Sequence, residues 1–332
     1  MKKIAIIGAT GFASERMLPE LRKSKKCKVT SILGRNEKTL KEIATRYKIK
    51  NIYLNIDKLI KENKCDAFYI ATPPYLHLEN IKKIAKTDSA ILCEKPLASN
   101  LKESLEIKNI LDKSKNHFVI GHHIRHQKAI IDIKSLIDKK EIGDVVSVYS
   151  QWGYQLDPLA PYAKWKLDRN LGGYSAVNDP GIHIIDLLNF LFGMPVSVFA
   201  NGFSAKHKTT HDNVLAMLFY NDKNIIIESS QTLDSPSNNL FIYGTDGTIK
   251  IPNCFEQVYI PKIIIEKNKK KKIINYKPTY LYKNEMENLL GLSRKGVAGT
   301  SLRDGIENSL IMEAINESVK KGKIMSLNNF RQ

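Results

Sequence analysis

The chain lacks the devices that staple a small scaffold or anchor a protein in a bilayer. Its four cysteines, Cys27, Cys65, Cys93 and Cys254, are scattered, with no CxxC pair. That argues against a disulfide framework or a thiolate zinc site and fits a reducing, cytoplasmic setting. No apolar run approaches the roughly 18 residues expected of a membrane span. The opening MKKIAIIGATGFA has a charged front, but its apolar run is short and leads directly into Ser-Glu-Arg. It reads as a first strand rather than a signal peptide. Arginine is scarce as well: the net charge of +18 comes almost wholly from lysines spread along the sequence. No basic stretch is interleaved with aromatic residues that would stack on bases, so nucleic acid is not the expected partner. The densest run, Lys267 to Lys272, lies between the strand-like pieces Val258–Ile265 and Lys272–Tyr276 and reads as a solvated hairpin tip. The positive field still favours an anionic substrate or a phosphate-bearing cofactor.

What is present is an ordinary globular composition, 42% hydrophobic and 26% charged over 332 residues. That is enough chain for two domains with separate cores. Apolar runs at Lys3–Ile7, Lys28–Leu33, around Ile52, and at Ala67–Ala71, Ala90–Glu94 and Phe118–Gly121 read as strands. Amphipathic stretches at Ser14–Lys23, Glu37–Tyr47, Lys58–Asn63, Leu76–Lys86 and Leu101–Lys113 read as the helices between them. The alternation predicts an α/β class with a doubly wound parallel sheet, a Rossmann domain over residues 1–121. From about Gly143 longer strands follow one another without helices: Val145–Tyr154, Ser197–Phe203, Val214–Tyr220, Asn224–Thr232 and Leu240–Ile251. They predict an α+β substrate and oligomerisation domain over residues 122–332, built on an open, mostly antiparallel sheet. One face of that sheet is expected to cover the active site. Burying the other against a second copy predicts a homodimer or homotetramer. The closing segments, Asn284–Leu292 and Leu302–Lys320, read as packing helices.

Ligands on such sheets bind at the carboxyl ends of the strands. The first end reads Gly8-Ala9-Thr10-Gly11-Phe12-Ala13, a glycine turn in which Thr10 stands where a strict GxGxxG has its second glycine. Between a buried strand and a helix it is either a tight turn or a seat for a pyrophosphate, and the surrounding βαβ pattern favours the latter. The second end reads Gly34-Arg35-Asn36 and carries no acid for the ribose hydroxyls. Arg35 either pairs with a 2′-phosphate or stacks on adenine, which tilts the expected cofactor modestly from NAD(H) to NADP(H). The fourth end carries Thr72-Pro73-Pro74 and His77, and the fifth carries Glu94-Lys95-Pro96, where an ammonium would stand near a reacting carbon.

The stretch Gly172–Gly193 holds an apolar run from Ile182 to Phe192, stopped by Gly193 and Pro195. Asp179 suits a helix cap and Pro180 the first turn. Asp179, His183 and Asp186 would then share one helix face. The aspartate is either only a cap or a carboxylate orienting an imidazole that moves protons.

Taken together, these pieces resemble the glucose–fructose oxidoreductase/inositol dehydrogenase (Gfo/Idh/MocA) family. The resemblance rests on the glycine turn, Ala71-Thr72-Pro73-Pro74 with His77, and Glu94-Lys95-Pro96. It continues through Gly172-Gly173, Asp179-Pro180-Gly181-Ile182-His183 with Asp186, Ile242-Tyr243-Gly244-Thr245-Asp246-Gly247 and Asn284-Glu285-Met286-Glu287-Asn288. It implies an NAD(P)-dependent oxidoreductase in which Lys95, Asp179 and His183 surround the nicotinamide. His183 would exchange the hydroxyl proton, Asp179 would hold the imidazole and Lys95 would polarise the oxygen. Where the family often has Asn-Arg-Arg, this chain has Gly121-His122-His123-Ile124-Arg125, so only Arg125 carries over as a substrate residue. The adjacent histidines lack the acid or cysteine cluster of a metal site, and no metal is expected. Trp152, Tyr154, Trp165 and Lys166 match the family's aromatic and basic pocket stretch, and aromatic faces suit a polyhydroxylated ring. The expected substrate is a secondary alcohol or ketone of a sugar, cyclitol or nucleotide-linked sugar. The alternatives are an NAD-dependent glycosidase of the same fold and a non-catalytic nucleotide-binding regulator.

Overall fold

The computed structural model describes residues 1–160, 162–255, 262–292 and 299–330. The chain divides into two units, Met1–His126 with Tyr280–Ile306, and Gln127–Thr279 with Glu307–Gln332.

In the first unit the strands are β1 (Lys2–Ile7), β2 (Cys27–Leu33), β3 (Asn51–Tyr53), β4 (Ala67–Ile70), β5 (Ala90–Glu94) and β6 (Phe118–Gly121). The helices between them are α1 (Leu18–Leu21), α2 (Glu37–Tyr47), α3 (Ile56–Glu62), α4 (His77–Ile84) and α5 (Leu101–Leu111). All strand pairs are parallel, in the order β3-β2-β1-β4-β5-β6. The order reverses between β1 and β4, which makes their carboxyl ends the switch-point crevice of a Rossmann sheet. The four residues of β4, Ala-Phe-Tyr-Ile, are all buried, as a strand covered on both faces requires. Asparagine starts three of the helices: Asn36, Asn55 and Asn100 each accept a backbone N–H of the turn they open. The stretch 14–23 is not one regular helix. A wide turn, Ala13–Met17, precedes the single turn of α1, whose first turn holds Pro19. Proline there has no N–H to close the preceding turn.

The second unit opens with α6 (Lys128–Asp138), a helix beyond those expected from the sequence, whose Ala129, Ile130 and Ile133 form a buried stripe. Then come β7 (Val145–Gly153), α7 (Ala163–Lys166), α8 (Gly181–Phe192), β8 (Ser197–Phe203), β9 (Asn213–Phe219) and β10 (Asn224–Ser230). Residues 240–251 form a hairpin rather than one strand: β11 (Leu240–Gly244) and β12 (Thr248–Ile251) turn at Thr245-Asp246-Gly247. β13 (Lys262–Lys267) and β14 (Lys270–Asn275) follow, so the hairpin tip is Asn268-Lys269, both left-handed, and Lys270–Lys272 lie in the outer strand. The part of the expected strand over 258–261 lies outside the described residues. α9 (Leu281–Leu289) belongs to the first unit, where Tyr282, Met286 and Leu289 join the core of Ile4, Ile6 and Leu92. α10 (Leu302–Lys321) and the two-residue β15 (Met325–Ser326) close the chain.

The second sheet has nine strands in the order β14-β13-β12-β11-β7-β10-β9-β8-β15. Among the described residues, its strand pairs are antiparallel except β7 with β10, which pair in parallel. Its inner face carries Val148, Val198, Ala200, Val214, Ala216, Leu218, Ile225, Ile227 and Ile242, all nearly inaccessible. α8 packs there, with Ile182, Ile184, Ile185, Leu187, Leu188 and Leu191 buried. A helix apolar on nearly every side belongs inside. Each such side chain contributes about 1.5–3 kcal/mol of burial. α8 begins at Gly181 with Pro180 in the capping position, and no side chain caps it. Asp179 therefore lies before the helix instead of on its face, and its carboxylate is engaged elsewhere.

Candidate active site

In the first unit the glycine turn brings two strand ends together. Gly8 has φ +86, and a Cβ there would lie 2.7 Å from the Ala71 carbonyl oxygen. The ends of β1 and β4 thus approach so closely that only glycine fits. A Cβ at Gly11 would meet nothing within 4 Å. A backbone turn open on that side suits the approach of a pyrophosphate. Ala13 is fully buried, and the Phe12 ring meets Tyr282 edge-on at 5.5 Å. Thr10 turns its methyl toward Gly34, where a Cβ would sit 3.0 Å away. Arg35 is exposed at the end of β2, while Asn36 is spent as the α2 cap on Thr39 N–H at 3.0 Å.

At the end of β4, Pro74 is buried and Thr72 Oγ1 accepts from Asn80. His77 is wholly buried: Nε2 lies 2.9 Å from the Thr72 carbonyl, and Nδ1 lies 3.1 and 3.2 Å from those of Pro96 and Leu97. It ties the loop after β4 to the loop after β5. Carbonyls on both sides favour a second ring proton, but burial outweighs them and pushes the imidazole below its ordinary value.

Glu94, the last residue of β5, receives the Tyr69 hydroxyl at 2.5 Å and the Lys95 backbone N–H at 3.3 Å. Burial pushes its carboxyl up to about 7, against the pull of the Tyr69 bond and the Lys95 charge. Lys95 follows directly, half-buried, at the end of β5. Two strand spacings, roughly 10 Å, separate that end from the glycine turn on β1. His123 stacks on Tyr282 at 4.6 Å, and burial followed by the Lys95 charge drives it well below its ordinary value. Arg125 is buried, with Nη1 3.3 Å from Asp304. Among the described residues no group of three or more His, Cys, Asp or Glu side chains is arranged to hold a metal ion. A cavity of about 810 Å³ opens at the opposite end of this sheet, beside Lys2, Asp66, Ala90 and His117. It lies at the strands' amino ends, away from the glycine turn.

In the second unit Trp152, near the end of β7, lies 4.3 Å from the His183 ring and stacks at 5.0 Å and 11° on Phe255. His183, in the first turn of α8, is 4% exposed. Asp179 receives the Tyr154 hydroxyl and, at 2.8 Å, the Lys166 ammonium on the same oxygen, Oδ2. Burial, then the Asp179 charge, raises the Tyr154 phenol well above its ordinary value and keeps it a donor. Trp165 contributes its ring to the surroundings of the Lys166 ammonium. Asp186 is buried and accepts from Asn308 Nδ2 at 2.8 Å, a packing role on α8. Two contributors escaped the sequence reading, Tyr69 and Phe255. A tyrosine inside a fully buried strand does signal a waiting hydrogen-bond partner. Nothing local in the sequence marks Phe255.

A parallel sheet of this order, with a glycine turn at its first strand end, defines a dinucleotide-binding domain of the Rossmann class. A model of the oxidoreductase family with an NAD-binding Rossmann fold matches residues 2–122, and one of the GFO/IDH/MocA C-terminal domain matches residues 130–250. The chain belongs to the Gfo/Idh/MocA family, and it is an NAD(P)-dependent oxidoreductase. It is 24% identical over 262 residues to D-xylose 1-dehydrogenase [NADP(+)] of Haloarcula marismortui, covering 76% of this chain and 72% of that protein. It is 27% identical over 193 residues to glucose-6-phosphate 3-dehydrogenase of Bacillus subtilis, 58% of this chain and 54% of that one. Its fold is like that of aldose-aldose oxidoreductase from Caulobacter crescentus complexed with glycerol, at TM-score 0.87 and 20% identity over 98% and 99% of the two chains.

Proposed function

We propose that this protein interconverts a secondary alcohol and a ketone on a carbohydrate: a sugar, a cyclitol or a nucleotide-linked sugar. The observation that carries the reading is Lys95 at the carboxyl end of β5, in the sheet whose β1 end holds the open glycine turn. Residues 1–121 would hold the dinucleotide, through Gly8, Thr10, Gly11, Gly34 and Arg35, and residues 122–332 the substrate. A bound nicotinamide supplies the hydride donor or acceptor. His183 takes or returns the hydroxyl proton, Lys95 steadies the charge developing on oxygen, and Asp179 holds the general acid–base group in place. General acid–base help of this kind is worth about 10²–10⁴-fold in rate. NADP(H) is the preferred nucleotide in this reading, because the end of β2 carries no acid and presents the exposed, forked cation of Arg35. The names of the sugar dehydrogenases to which the chain is similar support a carbohydrate substrate. The free thiols of Cys27, Cys65, Cys93 and Cys254 support a cytoplasmic location, and the second sheet supports assembly as a homodimer or homotetramer.

The test is a panel of D-xylose, glucose 6-phosphate, myo-inositol and aryl glycosides with NADP+ and NAD+, followed by nicotinamide absorbance and by glycoside cleavage. Absorbance change with at least one carbohydrate is the expected result. Sugar release without net absorbance change would replace the reading by an NAD-dependent glycosidase. His183→Asn should keep nucleotide affinity and lose turnover; a fully active variant would remove His183 from the mechanism.

A further inference from the structure

Three segments of the second unit meet at one carboxylate oxygen. Tyr154, just after β7, donates its hydroxyl to Asp179 Oδ2. Lys166, the last residue of α7, donates to the same oxygen at 2.8 Å and to the Tyr154 hydroxyl oxygen at 3.1 Å. The three groups form a closed ring of hydrogen bonds. Around the ammonium stand the rings of Tyr162, Tyr154 and Trp165, at 4.9, 5.3 and 5.8 Å from Nζ. Aromatic faces attract a cation and here hold it in one place. The Lys166 and Asp179 side chains are each 17% exposed, so the pair is largely desolvated. Removing one member of such a pair strands the other charge.

We infer that Lys166 and Tyr154 are positioning residues that fix the Asp179 carboxylate, rather than side chains that bind the substrate. Two of the three ammonium protons are directed to partners within this ring, and the phenol hydrogen is directed to Asp179 as well. Both lone-pair directions of Oδ2 are taken, which fixes the carboxylate plane and leaves Oδ1 for the other partners of Asp179. The glycine pair beyond α7 belongs to the same device. A Cβ at Gly172 would lie 2.4 Å from the Trp165 carbonyl oxygen and 2.7 Å from the Lys166 Cα. At Gly173, φ is +98 and a Cβ would strike the Asn178 amide at 2.3 Å. Backbone contact that close is what lets the turn carry the chain from the cage around Lys166 back to Asp179.

This inference rests on the redox reading for its catalytic consequence but not for its geometry, and the experiment separates the two. The first arm is ¹⁵N–¹H spectroscopy of lysine side chains. The wild type should show an exchange-protected ammonium signal that disappears in Lys166→Met and in Asp179→Asn. Absence of that signal from the wild type overturns the clamp. The second arm is steady-state kinetics on D-xylose with NADP+. Lys166→Met should lower kcat about 10- to 100-fold with KM within about threefold, Tyr154→Phe should lose less, and Lys166→Arg should recover most of the rate. A rise in KM of about tenfold with kcat retained makes Lys166 a substrate contact and overturns the inference. If the wild type turns over none of the panel carbohydrates, the redox reading fails, and the ammonium signal still decides whether the clamp exists.

Discussion

Glu94 carries an ionisable group into the interior of the first unit, and its carboxyl sits near 7 because burial disfavours the charged form. The folded-state value lies above the ordinary 4.5, so the folded form binds this proton more tightly than the unfolded chain does. The stabilising contribution is complete below 4.5 and is lost as pH rises to about 7, where the folded protein must hold a buried carboxylate. Glu94→Gln keeps the shape and can still accept from Tyr69 without ever ionising. The stability of the variant relative to wild type should therefore rise across that window, measured by urea midpoints. His77 and His123, held below 6.5, act in the opposite sense in both proteins and cancel in the difference. A difference that does not change with pH would show that Glu94 keeps one charge state throughout. Arg35 makes a separate prediction. Arg35→Ala should weaken NADPH at least tenfold more than NADH in fluorescence titrations, because only the former has a phosphate for the guanidinium fork. Equal losses would leave Arg35 as a platform for adenine.

At the scale of elements, the glycine turn separates fold from binding. Gly8→Ala must place a Cβ 2.7 Å from a backbone oxygen at φ +86, and should cost about 2 kcal/mol or more and lower the melting temperature. Gly11→Ala puts its methyl into open space, so it should melt like wild type and yet bind NADPH at least tenfold more weakly. Equal nucleotide affinity in the Gly11 variant would move the pyrophosphate away from this turn. The strands of the Rossmann sheet were legible because each is an apolar run bounded by turn residues. β5, β6, β8 and α2 fall where periodicity predicts them. The β11–β12 hairpin was not read apart because both strands alternate in the same way across a short turn. The start of α8 was misplaced for a physical reason. Asp179 has the chemistry of a cap, but a buried cation and a phenol from distant segments hold its carboxylate. The same long-range pairing explains why Trp152, Tyr154, Lys166, Asp179 and His183 could each be picked out while the way they pair could not. Residue type and spacing mark who is present, whereas His183, Phe255 and Asp179 are reached only through the sheet.

At the scale of the whole molecule, the second sheet carries a row of apolar side chains on the face opposite the one that α8 covers. Register places Phe199, Met217, Ile226, Tyr149 and Phe241 side by side in one row across β8, β9, β10, β7 and β11. Phe199 is 36% exposed, and nearby Leu215 is 48% and Phe203 59% exposed. An apolar row of that kind is costly to leave in water, and we propose that a second copy of the chain covers it. Association through the sheet edges is discouraged. One edge strand, β14, exposes Lys270, Lys271 and Lys272, and the other, β15, has two residues. With both edges blunted and an apolar face available, a twofold pairing of two copies is the simplest closed assembly. Replacing Phe199 and Leu215 together by glutamate would set like charges against each other across such an interface. The double variant should run as a single chain in light scattering while the wild type runs as a dimer or tetramer. Because both side chains already meet solvent within one chain, secondary structure should be unchanged by circular dichroism. A wild type that is monomeric at micromolar concentration would sink this assignment of the face.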